Sequence, residues 1–381
     1  MHVMHVIDSM HGGGAETSLL EIAPDLANRG VSTSIVTILP DDGELGDRLD
    51  ALGLVHIRLK RRDPLSLTLE LRDLICSERP DLLHTTLLFA NLTGRIAART
   101  VRLPIVTTLA NQDYGPEHRA NSRYGAWSVR AVHAVDMLTV PFTTRFHAIS
   151  VDVASVMGRR LRIPRDRIQV VYRGRDPARL GNPTLDRRLR TRLALSIDSK
   201  TPVVLSVGRL DRQKGVETTI DAFRRLVKHK PDAVLLVAGR PGNASGMVQV
   251  KAQSHPAIRL LGHRTDVPDL MCAADVLSFP SRWEGLGGTL VEAMALRLAI
   301  VASDIPPVAE TIGDVGWPLV RPDDGQALAE SLLSILARGD MNKAEKDAGE
   351  KRFQSLFTAQ VAADGMARLY QDVLRDARRY R

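Results

Sequence analysis

Short apolar runs alternate with amphipathic stretches along the chain, and this pattern predicts β-strands and α-helices in turn. In segment 17–28, for example, Leu19, Leu20, Ile22, Ala23 and Leu26 recur at helical spacing. The predicted strands of the first half lie at residues 2–8, 32–39, 54–59, 82–84, 105–109, 137–140, 147–150 and 168–172. Those of the second half lie at residues 202–207, 233–238, 258–261, 276–279, 299–302 and 316–320. Strands rich in Val, Ile and Leu that alternate with helices predict βαβ units and parallel sheets, an α/β fold.

This alternation runs twice, with a break between the two runs. Residues 173–201 hold two prolines, two glycines and many charged side chains, a composition typical of a linker followed by a short helix. We therefore predict two doubly wound domains, one over residues 1–178 and one over residues 179–359. Segment 358–381 predicts one or two further helices with an apolar side.

Length and composition indicate a soluble globular protein. The 381 residues suffice for two cores, with 44% hydrophobic and 25% charged residues. No run approaches the roughly 18 to 20 apolar residues needed to span a bilayer. The N-terminus has no basic start and its apolar run ends at Asp8, which predicts a first strand rather than a signal peptide. Cys76 and Cys272 are too few for a disulfide framework or a Cys-rich metal site, so we expect a cytoplasmic protein.

Basic residues are concentrated in one part of the chain. The net charge is +8, and the segment from Arg159 to Arg192 holds twelve arginines against Asp166, Asp176 and Asp186. Such a cluster suits an anionic membrane surface, which would make the protein peripheral at the inner face of the membrane, or an acidic substrate. A solvated helix and linker explain it as well. Nucleic acid is disfavoured as a partner, because no base-reading motif accompanies the charge and aromatic residues are only 4%.

Three glycines, Gly12, Gly13 and Gly14, follow the first predicted strand and open a helix. Glycine lets the backbone approach a phosphate or a sugar, and a helix N-terminus favours negative charge. A dinucleotide site requires G-x-G-x-x-G, but Thr17 stands at the sixth position, so that fingerprint fails. A ligand contact and a tight turn both remain open for these glycines.

Two cations follow the first strand of the second predicted domain, in the segment 206–215 with the sequence SVGRLDRQKG. The carboxyl ends of strands border the crevice where doubly wound sheets bind ligands. The planar fork of Arg209 and the compact charge of Lys214 would suit a diphosphate. The alternative is a pair of solvated loop cations.

The most informative segment is 279–295, FPSRWEGLGGTLVEAMA. A buried strand ends at Phe279, a glycine loop follows, and a helix begins near Thr289, which has the S/T-x-x-E spacing of a capping box with Glu292. The loop also offers backbone N–H groups to a diphosphate. Glu284 could accept hydrogen bonds from sugar hydroxyls, and Glu292 from the two hydroxyls of a ribose.

These segments resemble the retaining GT-B glycosyltransferases of family 4 (glycosyl transferases group 1). The resemblance rests on Glu284 and Glu292 with seven residues between them, on the segment 208–215 and on the N-terminal glycines. It also includes residues 258–264 and 274–281, so it covers nearly the whole chain, more specifically in the second domain than in the first. It implies two Rossmann-like domains that face each other across a cleft, with the C-terminal helix 360–381 crossing back onto the first.

The resemblance also implies roles for particular residues. Arg209 and Lys214 would neutralise the donor diphosphate without a metal, and Glu284 would hold the transferred sugar. Glu292 would hold the ribose. The remaining donor contacts are backbone or base contacts, made by Gly13, Gly14, Arg240, His263, Arg264, Gly287, Gly288, Thr289 and Leu290.

One feature departs from the family pattern. Members often carry a histidine that contacts the donor sugar after the fifth strand of the first domain, whereas this chain has Ala110 and Asn111 there. Asn111 would substitute as a hydrogen-bond partner, or His84 would reach in from the preceding strand end. A strand-end histidine with no role is the simpler explanation for His84, so the acceptor-side group stays unassigned.

The resemblance implies transfer of a sugar from a nucleoside-diphosphate sugar to an acceptor hydroxyl, with retention of configuration and without a cofactor. UDP is the first choice of nucleotide, with GDP and ADP as the others, and the acceptor would be a lipid, a glycan or a small metabolite read by residues 111–128. A catalytically silent GT-B protein that binds glycans or a protein is the alternative, motivated by the missing histidine. An NAD-type oxidoreductase is disfavoured because the glycine fingerprint fails.

Overall fold

The computed structural model describes residues 1–11, 13–39, 45–116 and 125–379. The chain divides into two compact units. The first unit comprises Met1–Asp176 and Leu356–Arg381, and the second comprises Pro177–Ser355.

Seven strands alternate with helices in the N-terminal part of the first unit, because short apolar runs that are buried on both faces alternate with amphipathic segments. In chain order these elements are β1 (His2–Ile7), α1 (Gly14–Asn28), β2 (Ser32–Thr37), α2 (Gly46–Ala51), β3 (Val55–Arg58), α3 (Pro64–Glu78), β4 (Leu82–Thr86), α4 (Leu88–Val101), β5 (Ile105–Leu109), α5 (Gly125–Thr139), β6 (Arg145–Ala148), α6 (Val151–Leu161) and β7 (Ile168–Val170). Single 3-10 turns occur at Val140–Phe142 and Arg165–Arg167.

The strands of the first unit form one parallel sheet in the order β3-β2-β1-β4-β5-β6-β7. The order reverses between β1 and β4, the point at which open sheets of this kind bind ligands beyond the carboxyl ends of their strands. Apolar residues cover both faces of the sheet. One cluster lies under α3 and α4, and another joins α1 to the C-terminal helix.

The second unit repeats the alternation. Its elements are α7 (Pro177–Leu180), α8 (Leu185–Ala194), β8 (Val203–Val207), α9 (Val216–Leu226), β9 (Val234–Ala238), α10 (Ser245–Ala252), β10 (Ile258–Gly262), α11 (Val267–Ala273), β11 (Val276–Phe279), α12 (Gly288–Ala295), β12 (Ala299–Ser303), α13 (Pro306–Ile312), β13 (Leu319–Val320), α14 (Gly325–Arg338) and α15 (Lys343–Leu356). Single 3-10 turns occur at Arg212–Lys214 and Gly339–Asn342.

The second sheet has six parallel strands in the order β10-β9-β8-β11-β12-β13. Its order reverses between β8 and β11. The segments that follow these two strands are residues 208–215 and 280–288, the two segments that the sequence singles out for phosphate and sugar binding. The topology therefore brings them together at the switch point of the sheet.

The last helix, α16 (Ala359–Arg379), belongs to the first unit. Its apolar side packs against α1 and the sheet with Ala363, Met366 and Tyr370. Where the chain re-enters this unit, the backbone pairs with the segment by which it leaves, because the N–H of Arg175 donates to the Phe357 carbonyl over 2.8 Å.

The predicted α/β fold with two doubly wound sheets is confirmed. The strand predicted at 137–140 is wrong, because those residues end α5 and begin the 3-10 turn Val140–Phe142. A four-residue run with three apolar side chains does not distinguish a buried strand from the end of a buried helix.

In the part of the chain that the structure describes, no helix combines the length and the apolar character required to cross a bilayer.

Candidate functional site

The carboxyl ends of β8 and β9 carry two candidate arginines, Arg209 and Arg240. The backbones of the two segments run in close contact beyond the sheet, since the N–H of Leu210 donates to the Arg240 carbonyl over 2.9 Å. This approach requires glycine at position 239, where a Cβ atom would lie 1.7 Å from the Gly208 carbonyl oxygen. The Arg209 side chain is 65% exposed and pairs with Asp211 over 3.1 Å. Arg209 thus offers an exposed cation at the switch point.

Lys214 and Glu284 form an ion pair next to this edge. The Lys214 Nζ atom lies 2.5 Å from Glu284 Oε1 and 5.4 Å from the centre of the Phe279 ring. Glu284 is buried. The next residue, Gly215, has a φ of +61°, and a Cβ there would lie 2.3 Å from the Pro280 carbonyl oxygen. Gly215 therefore permits the turn that brings Lys214 onto the loop after β11.

A second set of bonds fixes the same two loops to each other. The Arg282 N–H donates to the Gln213 carbonyl over 2.8 Å, and Gln213 Nε2 donates to the Trp283 carbonyl over 2.9 Å. The Arg282 guanidinium binds Glu217 over 2.7 Å and Asp323 over 2.5 Å. The sequence does not predict contacts among Arg282, Glu217 and Asp323, because only the fold brings these distant segments together.

The glycine loop ends at Gly287, which caps α12 with a φ of +87° and no side-chain hydrogen bond. The capping box expected at Thr289 is therefore wrong, since Thr289 lies inside the helix. Among the described residues, the N–H groups of Gly288 and Thr289 have no acceptor, whereas that of Leu290 donates to the Gly287 carbonyl over 2.9 Å. These two amides lie at the N-terminus of α12, where an anion is favoured.

Glu292 lies one turn into α12, with its side chain 16% exposed. Its Oε1 atom is 3.7 Å from Nη2 of Arg179 in α7. The two glutamates of the motif thus flank the glycine loop, each beside a cation. Arg179 is a further residue that the sequence does not predict, since nothing near it in sequence marks it as a partner of Glu292.

The expected base-contacting residues separate into two sets. Arg240 and His263 lie together beyond β9 and β10, with guanidinium nitrogens 3.4 Å from both ring nitrogens. Burial, and then the charge of Arg240, lower the pKa of His263. Arg264 instead forms a two-pronged pair with Asp266, over 2.7 and 2.5 Å, which holds the pKa of that carboxyl below its usual value.

In the first unit, Gly13 caps α1, and a Cβ at this position would lie 2.6 Å from Glu16 Oε2. Gly14 is the first residue of the helix. Gly12 and residues 117–124 of the expected acceptor loop lie outside the described residues. Asn111 follows β5, and its Oδ1 accepts a hydrogen bond from the neighbouring Gln112 N–H over 2.9 Å.

His84 lies inside the first unit rather than at a free strand end. Burial lowers its pKa well below the usual value and that of His147 to about 4. His147 Nε2 donates to the Val171 carbonyl over 2.8 Å, so its Nδ1 accepts from the Thr108 hydroxyl over 3.1 Å. Thr108 then accepts from His84 Nε2 over 2.7 Å, and His84 Nδ1 accepts from the Tyr370 hydroxyl over 2.8 Å. Both nitrogens of His84 are therefore engaged within the protein.

Several arginines between Arg159 and Arg192 bind acceptors within their own unit. In the first unit, Arg175 is buried and donates to Ser18 Oγ over 2.7 Å. In the second, Arg188 and Arg192 in α8 both bind the Asp275 carboxylate, over 2.5 and 2.9 Å. Many of these guanidiniums thus connect elements of the protein.

Within the described ranges, no group of three or more His, Cys, Asp or Glu side chains is placed to hold a metal ion.

Two protein-family models match the chain. The model described as Glycosyltransferase Family 4 matches residues 12–179, and the one described as Glycosyl transferases group 1 matches residues 201–338. A lipopolysaccharide core biosynthesis mannosyltransferase of Rhizobium meliloti is 26% identical over 372 residues, which are 93% of this chain and 97% of that protein. A 2-deoxystreptamine N-acetyl-D-glucosaminyltransferase of Streptomyces fradiae is 27% identical over 340 residues, 81% of this chain and 79% of that one.

Solved structures share the fold. Anabaena HepE in complex with UDP-glucose superposes with a TM-score of 0.85 at 19% identity, covering 98% of this chain and 100% of that one. WaaG, a glycosyltransferase involved in lipopolysaccharide biosynthesis, superposes with a TM-score of 0.72 at 19% identity, covering 95% and 98%. At this identity the likeness concerns the fold.

Proposed function

We propose that this chain moves a sugar from a UDP-sugar to an acceptor hydroxyl. The chain belongs to the family 4, group 1 glycosyltransferases and has their GT-B fold. The observation that carries the proposal is the Lys214–Glu284 pair beside the glycine loop and the start of α12, at the switch point of the second sheet. UDP as the nucleotide is supported by the Anabaena structure of the same fold, which holds UDP-glucose.

The proposed chemistry follows from where charge develops. Departure of the leaving group puts negative charge on the nucleoside diphosphate, and groups placed there in advance stabilise the transition state. Lys214, Arg209 and the free amides of Gly288 and Thr289 would supply that stabilisation. Two cations and a helix start support a reaction that requires no metal.

The two glutamates would orient the donor. In this proposal, Glu284 accepts hydrogen bonds from the sugar hydroxyls, and Glu292 from the ribose, with Arg179 holding the Glu292 carboxylate. Arg240 and His263, which lie together, would flank the base, whereas Arg264 is held by Asp266. Attack by the acceptor on the face that the diphosphate leaves would retain configuration, with the departing phosphate accepting the hydroxyl proton.

The proposal leaves the acceptor at the level of a hydroxyl group. Membrane contact through the Arg159–Arg192 segment stays a prediction, although many of its guanidiniums bind protein acceptors. A cytoplasmic location is supported by the free thiols of Cys76 and Cys272.

A catalytically silent GT-B protein is the second candidate. It is favoured by Ala110 and Asn111 at the position of the missing histidine, and by the internal hydrogen bonds that occupy His84. Release of UDP from a UDP-sugar by the purified protein would exclude it, whether the sugar goes to an acceptor or to water.

Lys214→Ala tests the proposed site, with Lys228→Ala, an exposed lysine of the same unit, as the matched control. We expect Lys214→Ala to lose most UDP release while retaining its circular dichroism spectrum, because a charge needed at the leaving group is gone. Lys228→Ala should release UDP like the wild type. Undiminished release by Lys214→Ala would contradict the diphosphate assignment.

A further inference from the structure

Arg173 follows β7 in the first unit, and its guanidinium binds no acceptor among the described residues. Its neighbour Arg175, by contrast, donates to Ser18 Oγ over 2.7 Å and to the Gly174 carbonyl over 3.0 Å. The Arg173 side chain is half-buried, and burial lowers the pKa of its guanidinium to about 10, so it remains charged at neutral pH. A charged group in such surroundings is costly unless a counter-charge or acceptor compensates it.

The guanidinium lines a cavity of about 50 Å³ within the first unit. Its lining is apolar in part, from Ile7, Leu19, Val171 and Met366, and the polar groups that line it include His5, Ser18, His84, Thr86 and His147. Since one water needs roughly 10–15 Å³ by this measure, the space admits several waters or one group of the size of a phosphate.

The cavity reaches the start of α1. Arg173 Nη1 lies 3.8 Å from the position that a Cβ atom would take at Gly14, so a side chain at position 14 would contact the guanidinium. Glycine leaves this backbone open to a ligand, and the first N–H groups of a 15-residue helix favour an anion.

The charges that act on Arg173 come from two residues. Arg175 repels it, and Glu16 attracts it without a hydrogen bond. The histidines of the cavity are neutral at pH 7, because burial lowers the pKa of His5 to about 3 and that of His147 to about 4. Arg173 therefore retains hydrogen-bond donors that no described residue uses.

We propose that Arg173, together with the backbone of Gly14, binds a phosphate group carried by one of the two substrates. The planar fork of arginine suits two phosphate oxygens, and the glycine backbone allows a third contact. This inference rests on the proposed function, because the phosphate belongs either to the UDP of the donor or to a phosphorylated acceptor.

The test compares wild type, Arg173→Gln and Arg173→Lys by calorimetric titration with UDP, and then with inorganic phosphate after saturation with UDP. Arg162→Gln is the matched control, an exposed arginine of the same unit. We expect Arg173→Gln to weaken binding in one titration by about 10- to 100-fold, the loss of a charged hydrogen-bond donor, with Arg173→Lys between. Loss of UDP affinity assigns the phosphate to the donor, and loss of inorganic phosphate binding alone assigns it to the acceptor.

Thermal melting distinguishes binding from a structural role. Because Arg173 has no acceptor in the described structure, Arg173→Gln should melt at or above the wild-type temperature. Unchanged affinities for UDP and phosphate would overturn the inference, whether or not the melting temperature falls. If the wild type binds UDP and Arg173→Gln binds both UDP and inorganic phosphate as the wild type does, the inference fails and the proposed function stands. Absence of any sugar-nucleotide binding by the wild type counts against the proposed function, and the phosphate titration still tests Arg173.

Discussion

The hydrogen bonds of His84 determine what this histidine can do. A hydrogen-bond network runs from Tyr370 through His84 and Thr108 to His147. The donor and the acceptor of each bond are determined, because the network ends on the Val171 carbonyl, which only accepts. His84 is therefore neutral, with its proton on Nε2. It cannot take the proton of an acceptor hydroxyl without giving up the bond from Tyr370.

Tyr370→Phe tests this hydrogen-bond network. The substitution removes the donor to Nδ1 of a buried ring, so we expect the free energy of unfolding to fall by about 1–3 kcal/mol. Urea denaturation measures the loss, and long-range proton–nitrogen spectra of the wild type should show the His84 proton on Nε2. A proton on Nδ1, or an equally stable variant, would contradict the assigned directions.

At the scale of elements, the sequence predicts features that arise from neighbouring residues and does not predict contacts between distant segments. The strands and the glutamates on either side of the glycine loop follow from patterns of a few residues, and the structure places Lys214 against Glu284 although 70 residues separate them. Their roles as donor ligands stay predictions. Nothing local marks Arg282, which meets Asp323 41 residues away. The wrong strand at 137–140 has a local cause, since a run of four residues, three of them apolar, fits a strand and a helix end equally well.

Gly239→Ala tests the contact between the segments that follow β8 and β9. A methyl group 1.7 Å from the Gly208 carbonyl oxygen forces the two backbones apart, and such overpacking costs typically about 1–3 kcal/mol. We expect a loss at least that large in urea denaturation, together with weaker UDP binding. Gly246→Ala in α10 is the control, because nothing lies within 4 Å of its Cβ position and alanine favours a helix by up to about 1 kcal/mol. A Gly239→Ala protein as stable as Gly246→Ala would refute the contact.

At the scale of the whole molecule, the buried histidines link stability to pH. The pKa of His5 falls from 6.5 in the exposed chain to about 3, and that of His147 to about 4. The unfolded chain therefore binds more protons than the folded one below pH 6.5. Their contribution to stability is complete above pH 6.5 and is lost progressively as the pH falls toward 4. Asp8 acts in the opposite direction, because burial raises the pKa of its carboxyl from 3.8 to about 6.

Urea denaturation at pH 7 and pH 5 measures this dependence. We expect the protein to be less stable at pH 5, with each buried histidine contributing up to about 1.4 kcal/mol per pH unit and Asp8 offsetting about one of them. In His5→Gln the slope should decrease by about one proton. Equal stability at both pH values, or the same slope in His5→Gln, would rule out the buried neutral histidines as the cause.

The most direct test of the proposed donor site is calorimetric titration of the wild-type protein and Lys214→Ala with UDP in the presence of EDTA, with NAD as the control ligand. The proposal predicts that the wild type binds UDP without metal and does not bind NAD. Because charged hydrogen bonds to the diphosphate are lost, Lys214→Ala should bind UDP at least about tenfold more weakly. Equal UDP affinity in the two proteins, or binding of NAD and not UDP, would contradict a diphosphate site at Lys214.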